Sequence, residues 1–78
     1  MINIRIVEGS SFDDGTILHD TKMATAPRVG ESITLRGPRH NETRLKVMEI
    51  EYVLDLRESG VSPEDDLTGV RVLVREIR

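Results

Sequence analysis

Asp13, Asp14, His19 and Asp20 place three carboxylates and an imidazole within eight positions. Such side chains can collect a divalent metal or pair a general acid with a base. Their spacing matches no ligand motif, and aspartates between Gly9 and Gly15 serve a turn, where short polar side chains bond to nearby backbone. An enzyme built on His19 and its aspartate neighbours would have to be assembled in an oligomer. The chain carries no Gly-rich phosphate loop, nucleophile elbow, paired-carboxylate spacing or Cys/His cluster. The expectation is a protein without enzymatic activity, catalytic residues, resident metal or cofactor.

Two other groups suggest binding. Arg36, Arg39, His40, Arg44 and Lys46 surround a Gly-Pro turn with Glu42 as the only acid among them. Arginine offers a planar bidentate fork to phosphate or carboxylate, so this basic hairpin is a candidate contact for nucleic acid or an acidic partner. It holds no aromatic residue on which a base would stack; otherwise it is a solvated turn between outward-facing strand residues. Glu58, Glu64, Asp65 and Asp66 make the segment 57–69 acidic, and such a loop can occupy a cationic groove on a protein partner or simply solubilise the chain. Tyr52, the only tyrosine, falls in an apolar phase and is expected in the core or at its rim, with its hydroxyl at the surface.

A chain of 78 residues is expected to form one domain over residues 1–78, and folding at that size buries only about 60–65% of the surface an unfolded chain exposes. With no cysteine there is no disulfide, so a thin core or oligomerisation must supply the stability. No apolar run approaches the roughly 20 residues of a membrane span, which leads to the expectation of a soluble, cytoplasmic protein without a membrane partner. The formal net charge of -3 argues mildly against a dedicated DNA binder, because counterion release needs cations. That charge is unevenly spread, with seven Lys/Arg against six Asp/Glu in residues 1–46 and four against eight in 47–78.

Most of the chain alternates with period two, the mark of half-buried strands. Ile2, Ile4 and Ile6 share one face against Asn3 and Arg5; residues 16–23 alternate less cleanly around His19 and Asp20; Ile33 and Leu35 oppose Ser32 and Thr34 over residues 31–36. Residues 9–15 are a Gly-bracketed loop whose Phe12 is expected to fold back over one end of the core. In "TRLKVMEIEYVLDL", Leu45 and Val47 occupy one phase and Met48, Ile50, Tyr52 and Leu54 the other. A β-bulge near Val47 and Met48 makes this shift, and it is expected to let the strand serve two faces of a closed sheet. A helix over 45–57 competes, with Val47, Ile50 and Leu54 at helical spacing and Gly60 as its stop, but the Val, Ile and Tyr content favours a strand. One helical turn at Ser62 to Asp66 is the only helix expected, with Pro63 at its first position. Val70, Val72 and Val74 alternate with Arg71, Leu73 and Arg75 in the last strand.

The inventory predicts an all-β protein, either a small five-stranded barrel or a strongly bent antiparallel sheet, since closure pairs strand edges that would otherwise recruit other chains. Pro27 and Gly30 then turn the chain from one strand into the next. The run "PRVGESITL", a polar turn, "RLKVMEIEYVLDL" and a valine-rich final strand resemble small uncharacterised bacterial and phage proteins with SH3-like barrels, over about residues 24 to 55. This resemblance implies a fold without a shared activity or any functional residue. The expected function is a small binding protein acting through protein contacts, an accessory or inhibitory factor of a phage or mobile element, and a homodimer through an exposed edge strand. A nucleic-acid-binding barrel using the basic 36–46 hairpin is the alternative.

Overall fold

Among the described residues, each alternating segment becomes a strand. The computed structural model describes residues 1–38, 41–55 and 67–77, with only the backbone of Leu67. It contains β1 over Ile2–Glu8, β2 over Thr16–Met23, β3 over Ser32–Gly37, β4 over Asn41–Leu54 and β5 over Leu67–Glu76. No helix of the described residues is long and apolar enough to cross a membrane. The strands form one sheet in the order β2-β1-β5-β4-β3, curled into a half-barrel. The helical alternative gives way to β4 as far as Leu54; the expected turn at Ser62 to Asp66 lies outside the described residues.

One ladder is not antiparallel. β1 and β5 run parallel, from Ile4 beside Val70 to Glu8 beside Val74. Parallel neighbours need a long crossover, and here β2, β3 and β4 supply it. β2 pairs with β1 and β3 with β4, and no ladder joins the two outer strands among the described residues. The sheet is therefore curled without being closed. Ala26, in the connection between β2 and β3, packs against the inner apolar cluster.

That cluster is the core. Ile4, Ile6, Leu45, Val47, Val70, Val72 and Val74 are all 2% exposed or less, because the register sets Ile4 beside Val70, Ile6 beside Val72 and Val47 beside Val74. Burial of each such side chain contributes about 1.5–3 kcal/mol before chain entropy is counted. In β4 the register steps from Val47 opposite Val74 to Glu49 opposite Leu73, leaving Met48 as the extra residue of the expected bulge. The bulge does not divide the strand between two faces: Ile50 and Tyr52, opposite Val72 and Val70, stay on the face of Leu45 and Val47. Two apolar phases in sequence become one in space. Tyr52 sits at the rim, 60% exposed. A second irregularity in β2, between Ile6 opposite His19 and Val7 opposite Ile17, accounts for the imperfect alternation there and lets Leu18 pack on the cluster.

The outer face has a smaller apolar centre of its own. Val7 and Leu73 are register neighbours and buried, although alternation points them outward. The loop 9–15 folds back beside them. The Gly9 amide donates to the Val74 carbonyl at 3.3 Å, and a Cβ on Gly15 would overlap Val7 Cγ1, so this crossing needs glycine. Phe12 is half-buried, with the Arg71 guanidinium 5.2 Å from its ring centroid, within cation–π range.

The stretch from Pro27 to Leu35 is also resolved. The Glu31 amide donates to the Arg28 carbonyl at 3.0 Å, closing a turn whose third residue, Gly30, has φ 93°, as a type II turn requires. Gly30 N donates to Val47 O, and Val47 N to Glu31 O, both at 2.9 Å. The turn is thereby fastened to β4 beside its bulge.

Candidate functional site

The β3–β4 hairpin carries the predicted basic cluster. Arg36, Arg44 and Lys46 are exposed and share the outer face, since the opposite phase of β4 holds the buried Leu45 and Val47. Arg36 lies opposite Glu42, Arg44 opposite Thr34 and Lys46 opposite Ser32. Arg36 reaches Glu42 at 3.4 Å; Arg44 and Lys46 make no ion pair with a described residue. Arg39 and His40, also predicted here, lie outside the described residues.

A further cation joins them. Arg75 of β5 is directly opposite Lys46, so the row across β3, β4 and β5 reads Ser32, Lys46, Arg75. In the sequence Arg75 only alternates with the valines of its strand, and its place beside the hairpin is not evident there. The available signal was that alternation; the pairing register that completes it is not written locally.

Directly opposed like charges are destabilising, and the outer face contains this arrangement twice. Arg5 of β1 stands beside Arg71 of β5, but that row continues to an acid at both ends. Asp20 faces Arg5 and Glu51 faces Arg71. Arg5 Nε donates to Asp20 Oδ1 at 2.9 Å, and its second nitrogen reaches Oδ2 at 3.2 Å; Arg71 pairs with Glu51. The hydrogen bond and charge of Arg5 hold the Asp20 carboxyl below the usual carboxylate range, and Asp20 in turn raises Arg5. Lys46 and Arg75 have no such acids. On one side is Ser32; on the other, β1 ends at Glu8 opposite Val74, one residue short of Arg75. Glu49 lies beyond the bulge opposite Leu73 and makes no ion pair with them.

The other predicted groups separate. Asp13 and Asp14 are exposed in the loop, where Ser11 Oγ accepts from the Asp14 amide at 3.2 Å, the local turn bonding their sequence implies. Asp20 faces outward on Arg5, while His19 lies in the opposite phase beside Ile6. The four residues are not gathered into one site, and no group of three or more metal-binding side chains occurs among the described residues. Glu58, Glu64, Asp65 and Asp66 lie outside the described residues. An open groove of about 890 Å³ is lined by Arg5, Asp20, Glu51, Arg71, Tyr52 and Leu54 among others. Of its five charged side chains, Arg5 pairs with Asp20 and Arg71 with Glu51, and Lys22 is the fifth.

No protein-family model, curated protein or solved structure matches the chain.

Proposed function

We propose that this chain is a non-enzymatic binding protein, an accessory or inhibitory factor that works through contacts with another protein chain along the free edge of β3, a second copy of itself included. The observation that supports this is the one-sided pairing of β3. Every second backbone amide and carbonyl of an edge strand points away from its neighbour and can accept an added strand. Of the two outer strands, β3 is the more receptive. It pairs with β4 without a register shift over Ser32–Gly37, whereas β2 carries an irregularity of the kind that twists an edge away. The half-buried Ile33 and Leu35 line the inner side of this edge, giving an incoming strand apolar positions to continue. A cytoplasmic setting and an SH3-like barrel are parts of the same proposal, the second resting on the strand-and-turn pattern of residues 24 to 55.

Light scattering across a concentration series, with amide hydrogen exchange on the same samples, tests the reading. The expected result is a mass above one chain that rises with concentration, or a complex captured from lysate, with new protection in β3 in either case. Thr34→Lys, which places a charge on the exposed side of this edge, should abolish the association; because Thr34 lies opposite Arg44, the new like-charge contact should cost the fold no more than about 1 kcal/mol. A monomer at every concentration that captures nothing, or an association in which β3 stays unprotected and Thr34→Lys has no effect, would refute it.

A further inference from the structure

The two like-charged rows on the outer face lead beyond edge pairing. We infer that Arg44, Lys46 and Arg75, with Arg36 at their margin, form a sequence-independent site for the phosphate backbone of a nucleic acid. The contrast between the rows carries the inference. Where Arg5 opposes Arg71, the same face supplies Asp20 and Glu51, and the repulsion is offset within the fold. Where Lys46 opposes Arg75, nothing in the row is acidic and both side chains are exposed. An anion supplied from outside completes the second row as Asp20 and Glu51 complete the first.

The shape of the cluster favours a chain of phosphates over a single one. Lys46 and Arg75, directly opposed across a ladder, have Cβ atoms about 4.5–5.5 Å apart. Arg44 follows roughly 7 Å along β4, and Arg36 lies farther up the hairpin, partly engaged by Glu42. These three cations, which make no ion pair with a described residue, thus extend along the sheet without converging on a point, a geometry suited to a linear polyanion. Among the described residues the rows of Arg36, Arg44, Lys46 and Arg75 include no aromatic side chain, so these rows offer no platform for a base and no basis for sequence readout. Affinity should be modest and strongly dependent on salt.

The test is fluorescence anisotropy of a labelled 20-nucleotide single strand of mixed sequence against the full chain, from about 50 to 200 mM salt. Three phosphate contacts predict a slope of log Kobs on log salt near −2, from about −0.7 per contact on a single strand. Removing one cation by Arg75→Ala or Lys46→Ala should reduce the slope by about 0.7 and weaken binding about eightfold at 50 mM salt, the factor that one released counterion represents. The effect should be the same for unrelated sequences. Neither variant should melt below the parent, since each relieves a like-charge contact, and that readout separates loss of the site from loss of the fold. Lys22→Ala, which removes an exposed cation on β2 opposite Asn3, across the sheet from Lys46 and Arg75, should leave binding unchanged. A salt-independent signal, equal losses in Lys22→Ala and Arg75→Ala, equal affinity for a polyglutamate of matching length, or full competition by millimolar inorganic phosphate would each overturn the inference. Thr34→Lys adds a cation opposite Arg44, so that protein should lose association through β3 while binding the strand at least as tightly as the parent, and the two proposals can fail separately.

Discussion

Deleting Met48 tests the account of β4 more sharply than truncating any buried side chain. Side chains alternate with period two, so a strand that loses its bulged residue must present one of its halves with the wrong face. If the first half turns, Leu45 and Val47, each 0% exposed, leave the inner cluster; at about 1.5–3 kcal/mol per aliphatic side chain the loss is about 3–6 kcal/mol. If the second half turns, the half-buried Ile50 leaves the cluster at about 1–2 kcal/mol. Glu51 is then separated from Arg71 and turned toward Val70 and Val72, at a cost of about 1–3 kcal/mol for a poorly satisfied polar group. The cheaper route sets the answer, so the deletion should cost about 2–5 kcal/mol. Met48→Ala keeps the extra residue and trims a side chain that is 40% exposed, so its loss should stay under about 1 kcal/mol. Urea unfolding followed by circular dichroism measures both variants. If the deletion and the alanine variant fell within about 1 kcal/mol of one another, the bulge would not be holding the two apolar phases on one face.

Three further outcomes follow from single contacts. Gly15→Ala forces a Cβ against Val7 Cγ1 and should lose about 1–3 kcal/mol, read as a lower thermal midpoint; an unchanged midpoint would mean that the loop 9–15 does not press on the outer face. Gly30→Ala puts a side chain at φ 93°, costing about 1–2 kcal/mol, whereas Val29→Ala, at a 63% exposed neighbour, should be nearly silent in the same melt. Asp20 is held below the ordinary carboxylate range by Arg5, so this pair stabilises the fold above the carboxylate range and loses that contribution as pH falls through the lowered pKa. The stability gap between the parent and Asp20→Asn should therefore shrink in acid, and urea midpoints that differ equally at about pH 7 and about pH 2 would disprove the linkage.

The elements themselves were legible because each is a local pattern. Ile2, Ile4 and Ile6, or Val70, Val72 and Val74, need only their own neighbours to declare a strand, and the step between Val47 and Met48 marked the bulge before any partner strand was known. What the pattern withheld was pairing. The parallel alignment of β1 with β5 joins the two ends of the chain, and no turn residue encodes it. Burial of Val7 and Leu73 was hidden for a related reason. Alternation assigns a side chain to a face without showing what covers that face, and here the loop around Gly15 folds across it.

The same division decides how much of the candidate site could be read. Arg36, Arg44 and Lys46 are close in sequence, and their shared outward phase follows from the hairpin alone. Arg75 enters through the β4–β5 register, which also selects Glu51 for Arg71, while the β1–β2 register selects Asp20 for Arg5. Composition therefore misjudges this surface in both directions. An overall charge of -3 makes the chain look unsuited to a polyanion, and local clustering makes the hairpin tip look like the whole of its basic region. Register is what turns a count of charges into an arrangement, since a carboxylate offsets a guanidinium only from the adjacent strand and the same row. By that criterion Arg5 and Arg71 are satisfied within the fold, whereas the row of Lys46 and Arg75 holds no carboxylate among the described residues.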